Sequence, residues 1–247
     1  MERIEILRDD VSLDSPTLIE GLPGVGLVGK LATDHLSETL DMVHYANVHC
    51  ERLPPVATYQ EERYDLATPV RLYADPERDL LALRSDVPVS PEAALEFGDC
   101  FEGWPASDET LPIYLSGLGE EREETASPSM YGIGTGGMGE RLEAEGIAPP
   151  PESGLVSGPT GALLSRAVRD DDEALGLVVE CDPRFPDPES AAKLIQEGIS
   201  PLLGIDVPVT ELTERAEEIQ QAKHRLAQQM QEADETSSQA RPLGMYQ

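Results

Sequence analysis

Residues 21–30, Gly21-Leu22-Pro23-Gly24-Val25-Gly26-Leu27-Val28-Gly29-Lys30, carry the spacing in this chain that comes nearest to ligand chemistry. Gly24, Gly26 and Gly29 satisfy GxGxxG, and Glu51 follows at the distance where a dinucleotide site places the acid that binds a ribose hydroxyl. The same run begins GxxxxGK, the opening of a phosphate-cradling loop, yet Leu31 stands where a Ser or Thr would ligate magnesium. The glycines also have a use that needs no ligand. They permit positive φ and let a helix close onto the preceding strand, and Pro23 removes one amide donor from the loop. The residues are therefore read as a structural glycine turn made by Gly21, Pro23, Gly24, Gly26 and Gly29. The alternative is a nucleotide- or phosphate-binding α/β protein or enzyme that uses the Gly24–Lys30 loop.

Other constellations carry less. There is no GxSxG elbow, and Ser157-Gly158-Pro159-Thr160-Gly161 reads as a turn that opens a helix. Gly132 to Gly139 could also face an anion, with Arg141 the nearest cation. His35, His44, His49 and His224 lack HExxH or CxxH spacing, and Cys50, Cys100 and Cys181 form no CxxC. Among 48 acidic residues no particular carboxylate pair is informative. No catalytic residue, metal ligand or cofactor is expected.

The elements that would carry the turn follow from apolar periodicity. Strands are expected at 16–21, 43–49, 55–60, 79–84, 111–115, 131–135, from 155, and at 174–180, with helices at 27–40, 90–101, 137–145, 160–168 and 188–203. Alternation of the two predicts a three-layer α/β/α domain over 1–208 with a largely parallel central sheet. Residues 210–233 lack Gly and Pro, and Leu212, Ala216, Ile219, Lys223, Leu226 and Met230 follow heptad steps. An amphipathic helix over 209–233 is expected, packing either on its own domain or on another copy. Residues 234–247 form a polar tail that is expected to be disordered.

Several of these segments resemble the archaeal proteasome assembly chaperone family. Residues 21–29 match its N-terminal signature, and Arg52-Leu53-Pro54-Pro55 looks like the loop that leads into one of its strands. Gly154 to Leu164 looks like its second glycine turn, and Asp187 to Ala192 like the start of its last domain helix. The resemblance implies a nucleoside-phosphorylase-like α/β/α fold, no catalysis, and a chaperone or regulator as the member in hand, which the acid excess makes one of haloarchaeal type. It also gives the terminal triplet, Met245-Tyr246-Gln247, a meaning as hydrophobic–Tyr–any. Such a tail inserts between α-subunits of the proteasome core particle, where its carboxylate pairs with a lysine and the Tyr ring packs. Linker residues 234–244 would let it reach up to about 36–40 Å. A homo-oligomer would present several tails at once.

Composition bounds the rest. The 247 residues carry 48 Asp+Glu against 18 Lys+Arg, a formal charge of −30 spread along the whole chain. That charge excludes binding through neutralised phosphates, whether of nucleic acid or of an anionic membrane surface. No run of about 18 apolar residues and no secretory leader is apparent, and the few cysteines suit a reducing cytoplasm. A diffuse carboxylate surface is how a protein stays soluble in concentrated salt, where a Debye length near ~3 Å at ~1 M screens its self-repulsion. In salt-free buffer the far-UV circular dichroism is expected to collapse and to return at ~2–3 M KCl; full retention without salt would reject the halophilic reading.

Overall fold

A computed structural model describes residues 3–59, 64–102, 110–120, 126–219 and 221. An eight-stranded sheet forms the middle layer, in the order β1 (Arg3–Ile6), β3 (Val43–His49), β6 (Val70–Asp75), β7 (Leu80–Ser85), β2 (Thr17–Gly21), β8 (Leu111–Gly119), β10 (Leu175–Cys181), β9 (Met130–Gly134). The centre, β7-β2-β8-β10, is parallel, as the α/β alternation predicts. Antiparallel pairs extend it on both sides, through β6, β3 and β1 at one edge and β9 at the other. A separate two-stranded ribbon joins β4 (Thr58–Tyr59) to β5 (Leu66–Ala67).

Side chains alternate across each strand, so the central strands β7, β2 and β8 feed two cores, while β10 feeds one. Ile19, Leu80, Ala82, Ile113, Leu115, Leu175 and Leu177 face α1 (Val28–Thr39) and α5 (Pro188–Lys193), together with the wide turn Leu194–Ile199 that continues α5 into α6 (Ser200–Leu203). Leu18, Leu22, Leu81 and Leu83 face α2 (Pro91–Glu102) and α4 (Gly158–Asp170), which pack on each other through Ala94, Phe97 and Leu163. A short α3 (Gly139–Ala144) follows β9 and buries Leu142. The result is the expected α/β/α sandwich.

Helix α1 keeps its face by spacing Val28, Ala32 and Leu36 four residues apart, all buried. Helix α5 starts at Asp187, whose carboxylate accepts from the Ser190 amide at 3.1 Å, with Pro188 in the first turn. Helix α4 likewise has Pro159 in its first turn.

Three local expectations are corrected. Residues 155–157 are not a strand; the backbone there runs straight into α4. The strand expected at 55–60 is reduced to Thr58–Tyr59. Strands β1 and β6 were not foreseen, and β6 is hidden by its charged residues Arg71 and Asp75. Both are buried, because Arg71 is ion-paired to Asp86 and Asp75 to Arg78 at 2.6 Å. Residues 210–219 are helical and send Leu212 into the α1-side core beside Val207 and Val209. The rest of the heptad seam (Lys223, Leu226, Met230) and the terminal Met245, Tyr246 and Gln247 lie outside the described residues.

Candidate functional site

The glycine turn sits at the carboxyl end of the parallel strands, where α/β sheets ordinarily open a ligand crevice. Here the turn itself fills that place. Strand β2 ends at Gly21, and a Cβ there would lie 1.9 Å from Thr33 Oγ1, so the Thr33 side chain of α1 rests directly on the bare Gly21 backbone. A Cβ on Gly29 would meet Leu115 at 3.3 Å and the Gly21 Cα at 3.6 Å. Gly26 has φ 63°, and its missing Cβ leaves room for Cys181 Sγ at 2.8 Å. The next residue, Leu27, is also left-handed at φ 51° without being glycine, which stores about 1–2 kcal/mol of backbone strain. The Val25 carbonyl lies over Gly117 of β8, and the Gly26 carbonyl accepts from the Asp187 amide at 2.9 Å. Asp187 thus caps α5 and pins the turn at once. Gly24 differs from its neighbours: its backbone is extended and a Cβ there would meet open space.

The residues that would make this turn a nucleotide site are not brought together. Glu51 follows β3, which is separated from β2 by β6 and β7. Lys30 Nζ pairs with Asp34 one turn further along α1 at 2.9 Å and with Asp86 at 3.4 Å. A cavity of about 730 Å³ lies at the opposite, amino end of the strands, between α2 and α4, lined by Phe97, Leu111, Tyr114, Leu163 and Arg166. The three described histidines bond or stack within the fold, and His224 lies outside the described residues. His35 bonds the Pro208 carbonyl at 2.7 Å, and His44 stacks on Tyr73 with ring centroids 5.4 Å apart. His49 meets Glu5 at 2.9 Å. Among the described residues no three His, Cys, Asp or Glu side chains gather as a metal site.

The sequence reading passed over one residue that the structure makes central, Glu20. It is fully buried at the end of β2, opposite Tyr114 of β8 in register. Its Oε1 accepts from the Leu22 amide at 2.7 Å, and its Oε2 accepts from the Thr160 hydroxyl at 3.1 Å. Thr160 belongs to the second glycine turn, whose Gly161 passes so close to the Val156 carbonyl that a Cβ would lie 2.3 Å away. One carboxyl group therefore ties the two glycine turns together beneath the surface. The signal was present as a lone acid in the apolar run Leu18-Ile19-Glu20, entering the core. Above it, the turn shows water an apolar rim: Val25, Leu118 and Phe185 are exposed, with Pro183 and Val25 both against Gly119.

Burial raises the Glu20 carboxyl from its ordinary 4.5 to about 7; the Leu22 amide, the Thr160 hydroxyl and the Leu115 amide pull downward and do not offset it. The folded chain thus keeps a proton that the unfolded chain releases near pH 4.5. This group contributes stability that is fully present below that pH and lost as pH rises through about 7. At about 1.4 kcal/mol per pH unit the loss is on the order of 3 kcal/mol. Glu20→Gln is expected to match wild type below about pH 5 and to be more stable above pH 7 by that order, measured by denaturant unfolding at constant KCl; parallel stability curves would reject the assignment. The glycines separate in the same assay. Gly26→Ala should lose about 2 kcal/mol or more to the left-handed backbone and the collision with Cys181, while Gly24→Ala should stay within about 0.5 kcal/mol.

Pyrococcus furiosus PbaA, described as an archaeal homolog of proteasome-assembly chaperone, superposes with a TM-score of 0.78 at 27% identity, covering 95% of this chain and 96% of its own. Pyrococcus furiosus PbaB, described as an archaeal proteasome activator, shares the fold with a TM-score of 0.76 at 22% identity over 92% of this chain and 98% of its own. An uncharacterized protein of Methanocaldococcus jannaschii is 26% identical over 223 residues, 89% of this chain and 88% of the relative. The family model for PAC2 matches residues 18–227, which takes in both glycine turns, the whole parallel sheet and the start of the C-terminal helix; the chain belongs to the PAC2 family.

Proposed function

We propose that this chain is a non-enzymatic assembly chaperone or regulator of the proteasome core particle. It acts in the cytoplasm of a salt-adapted cell as a homo-oligomer, without nucleic acid, membrane or cofactor. It docks Met245, Tyr246 and the Gln247 carboxylate between α-subunits of the core. The observation that carries the reading is the likeness to PbaA along nearly the whole of both chains. The glycine turn supports it from the other side. Gly21, Gly26 and Gly29 are committed to packing, and Lys30 is committed to two carboxylates. Interaction by a tail asks of the folded domain only that it hold the tail's origin in place, and Leu212 and the His35–Pro208 bond do so.

The test is co-sedimentation with purified core particle in ~2–3 M KCl, which keeps the carboxylates screened. The full chain is expected to travel with the core, and a chain lacking residues 245–247 is expected to stay behind with an unchanged melting temperature. Equal binding by both forms would reject the tail, and no binding by either would reject the proteasome as partner.

A further inference from the structure

The cavity between α2 and α4 is used by nothing described so far. At about 730 Å³ it falls within the ~300–1,000 Å³ of ordinary small-molecule sites. Such a space is foreign to a close-packed interior, whose voids seldom exceed a water molecule. Its walls are held in place. Phe97 and Leu163 are buried where α2 meets α4, and the Phe97 and Phe101 rings stand tilted with centroids 5.7 Å apart. Arg166 is fixed across α2. A Cβ on Gly98 would lie 2.7 Å from its Nη1, which donates to Asp99 at 2.6 Å and to the Leu95 carbonyl at 3.3 Å.

Two features of this lining are unspent. Tyr114 of β8 is the first: among the described residues its hydroxyl has no hydrogen-bond partner. Burial pushes that hydroxyl well above its ordinary range, so it remains an O–H donor at any working pH. The second is charge. Asp171, Asp172 and Glu173, in the link from α4 to β10, line the same cavity, and their carboxylates make no hydrogen bond or ion pair among the described residues. Arg166, the cation of this lining, already faces Asp99 and, at 3.6 Å, Asp170.

We infer that this cavity is a binding site for a small aromatic amine. Its ring lies against Phe97 and Leu163, a polar group on the ring meets the Tyr114 hydroxyl, and its ammonium turns to the carboxylates of 171–173. Chemistry selects each part. Tilted or offset contact with phenyl rings favours an aromatic body, and walls that lack partner atoms recover their dispersion when the body fills them. A phenolic O–H with no partner at an apolar wall costs free energy that an acceptor on the ligand restores. A carboxylate ligand would meet three like charges and a guanidinium already neutralised, whereas an ammonium meets three unpaired opposite charges. The inference goes beyond the proteasome reading and needs no part of it.

The test is equilibrium dialysis of four related probes against the full chain in ~2 M KCl, where charges in contact still pair while distant ones are screened. Tyramine carries the ring, a hydroxyl and the ammonium. Phenethylamine lacks the hydroxyl, tyrosol has an alcohol in place of the ammonium, and 3-(4-hydroxyphenyl)propionate has a carboxylate there. Tyramine is expected to bind about fivefold tighter than phenethylamine or tyrosol, and tighter again than the propionate. Tyr114→Phe should weaken tyramine about fivefold and leave phenethylamine unchanged, a difference that a merely loosened cavity would not produce. Asp171→Asn/Asp172→Asn/Glu173→Gln changes exposed side chains only and should bring tyramine down to the level of tyrosol. It keeps the test valid if Tyr114→Phe does not fold. No binding of tyramine at ~10 mM, equal binding of tyramine and the propionate, or equal losses of both amines in folded Tyr114→Phe would overturn the inference.

Discussion

The close approach of α1 to β2 and β8 is the constraint on which the rest of the molecule depends. Where the Gly21 backbone takes the Thr33 side chain and the Gly29 backbone takes Leu115, neither glycine position has room for a Cβ without a neighbour giving way. That closeness sets the depth at which α1 lies on the sheet, and hence where Ala32 and Leu36 meet the core. It also folds residues 24–27 back over β8 and β10, so the chain's own backbone covers the carboxyl ends of those strands at Gly117 and Cys181. The cost is taken locally, in the left-handed Leu27 and in a buried carboxyl group. The Asp187 amide and the Thr160 hydroxyl hold the arrangement in place.

Much of this was legible in the residues. The four-residue spacing of Val28, Ala32 and Leu36 and the apolar run of β10 identified their elements because burial on one or both faces dictated their composition. Strand β6 was not legible, because Val70-Arg71-Leu72-Tyr73-Ala74-Asp75 carries two charges that read as exposed, and the partners that let them be buried, Asp86 for Arg71 and Arg78 for Asp75, lie outside the strand's own pattern. Leu155-Val156 misled for the opposite reason: two apolar residues look like a strand, but Val156 presents its carbonyl to Gly161 at the start of α4.

The site was half legible. The glycine motif marked the right place, and spacing alone could not separate a phosphate cradle from a packing device. The packing reading draws its support from tertiary facts that spacing does not contain: the cysteine under Gly26, the carboxylates around Lys30, and the two strands that part Glu51 from β2. Gly24 matched the motif as well as Gly26 did, yet only Gly26 has a backbone and a neighbour that require it. Glu20 was visible as a letter, but its meaning depends on Thr160, 140 residues away.

The burial of Leu212 has a consequence for the peptide that follows it. Val207, Val209 and Leu212 belong to the core, and His35 grips the Pro208 carbonyl, so the chain up to the first turns of the C-terminal helix is bound to the history of the domain. Among the described residues beyond that point, none is a buried member of the α1-side core. Among the described residues Leu212 is thus the last buried apolar side chain, and the domain works as a socket that fixes the direction in which the following peptide sets out.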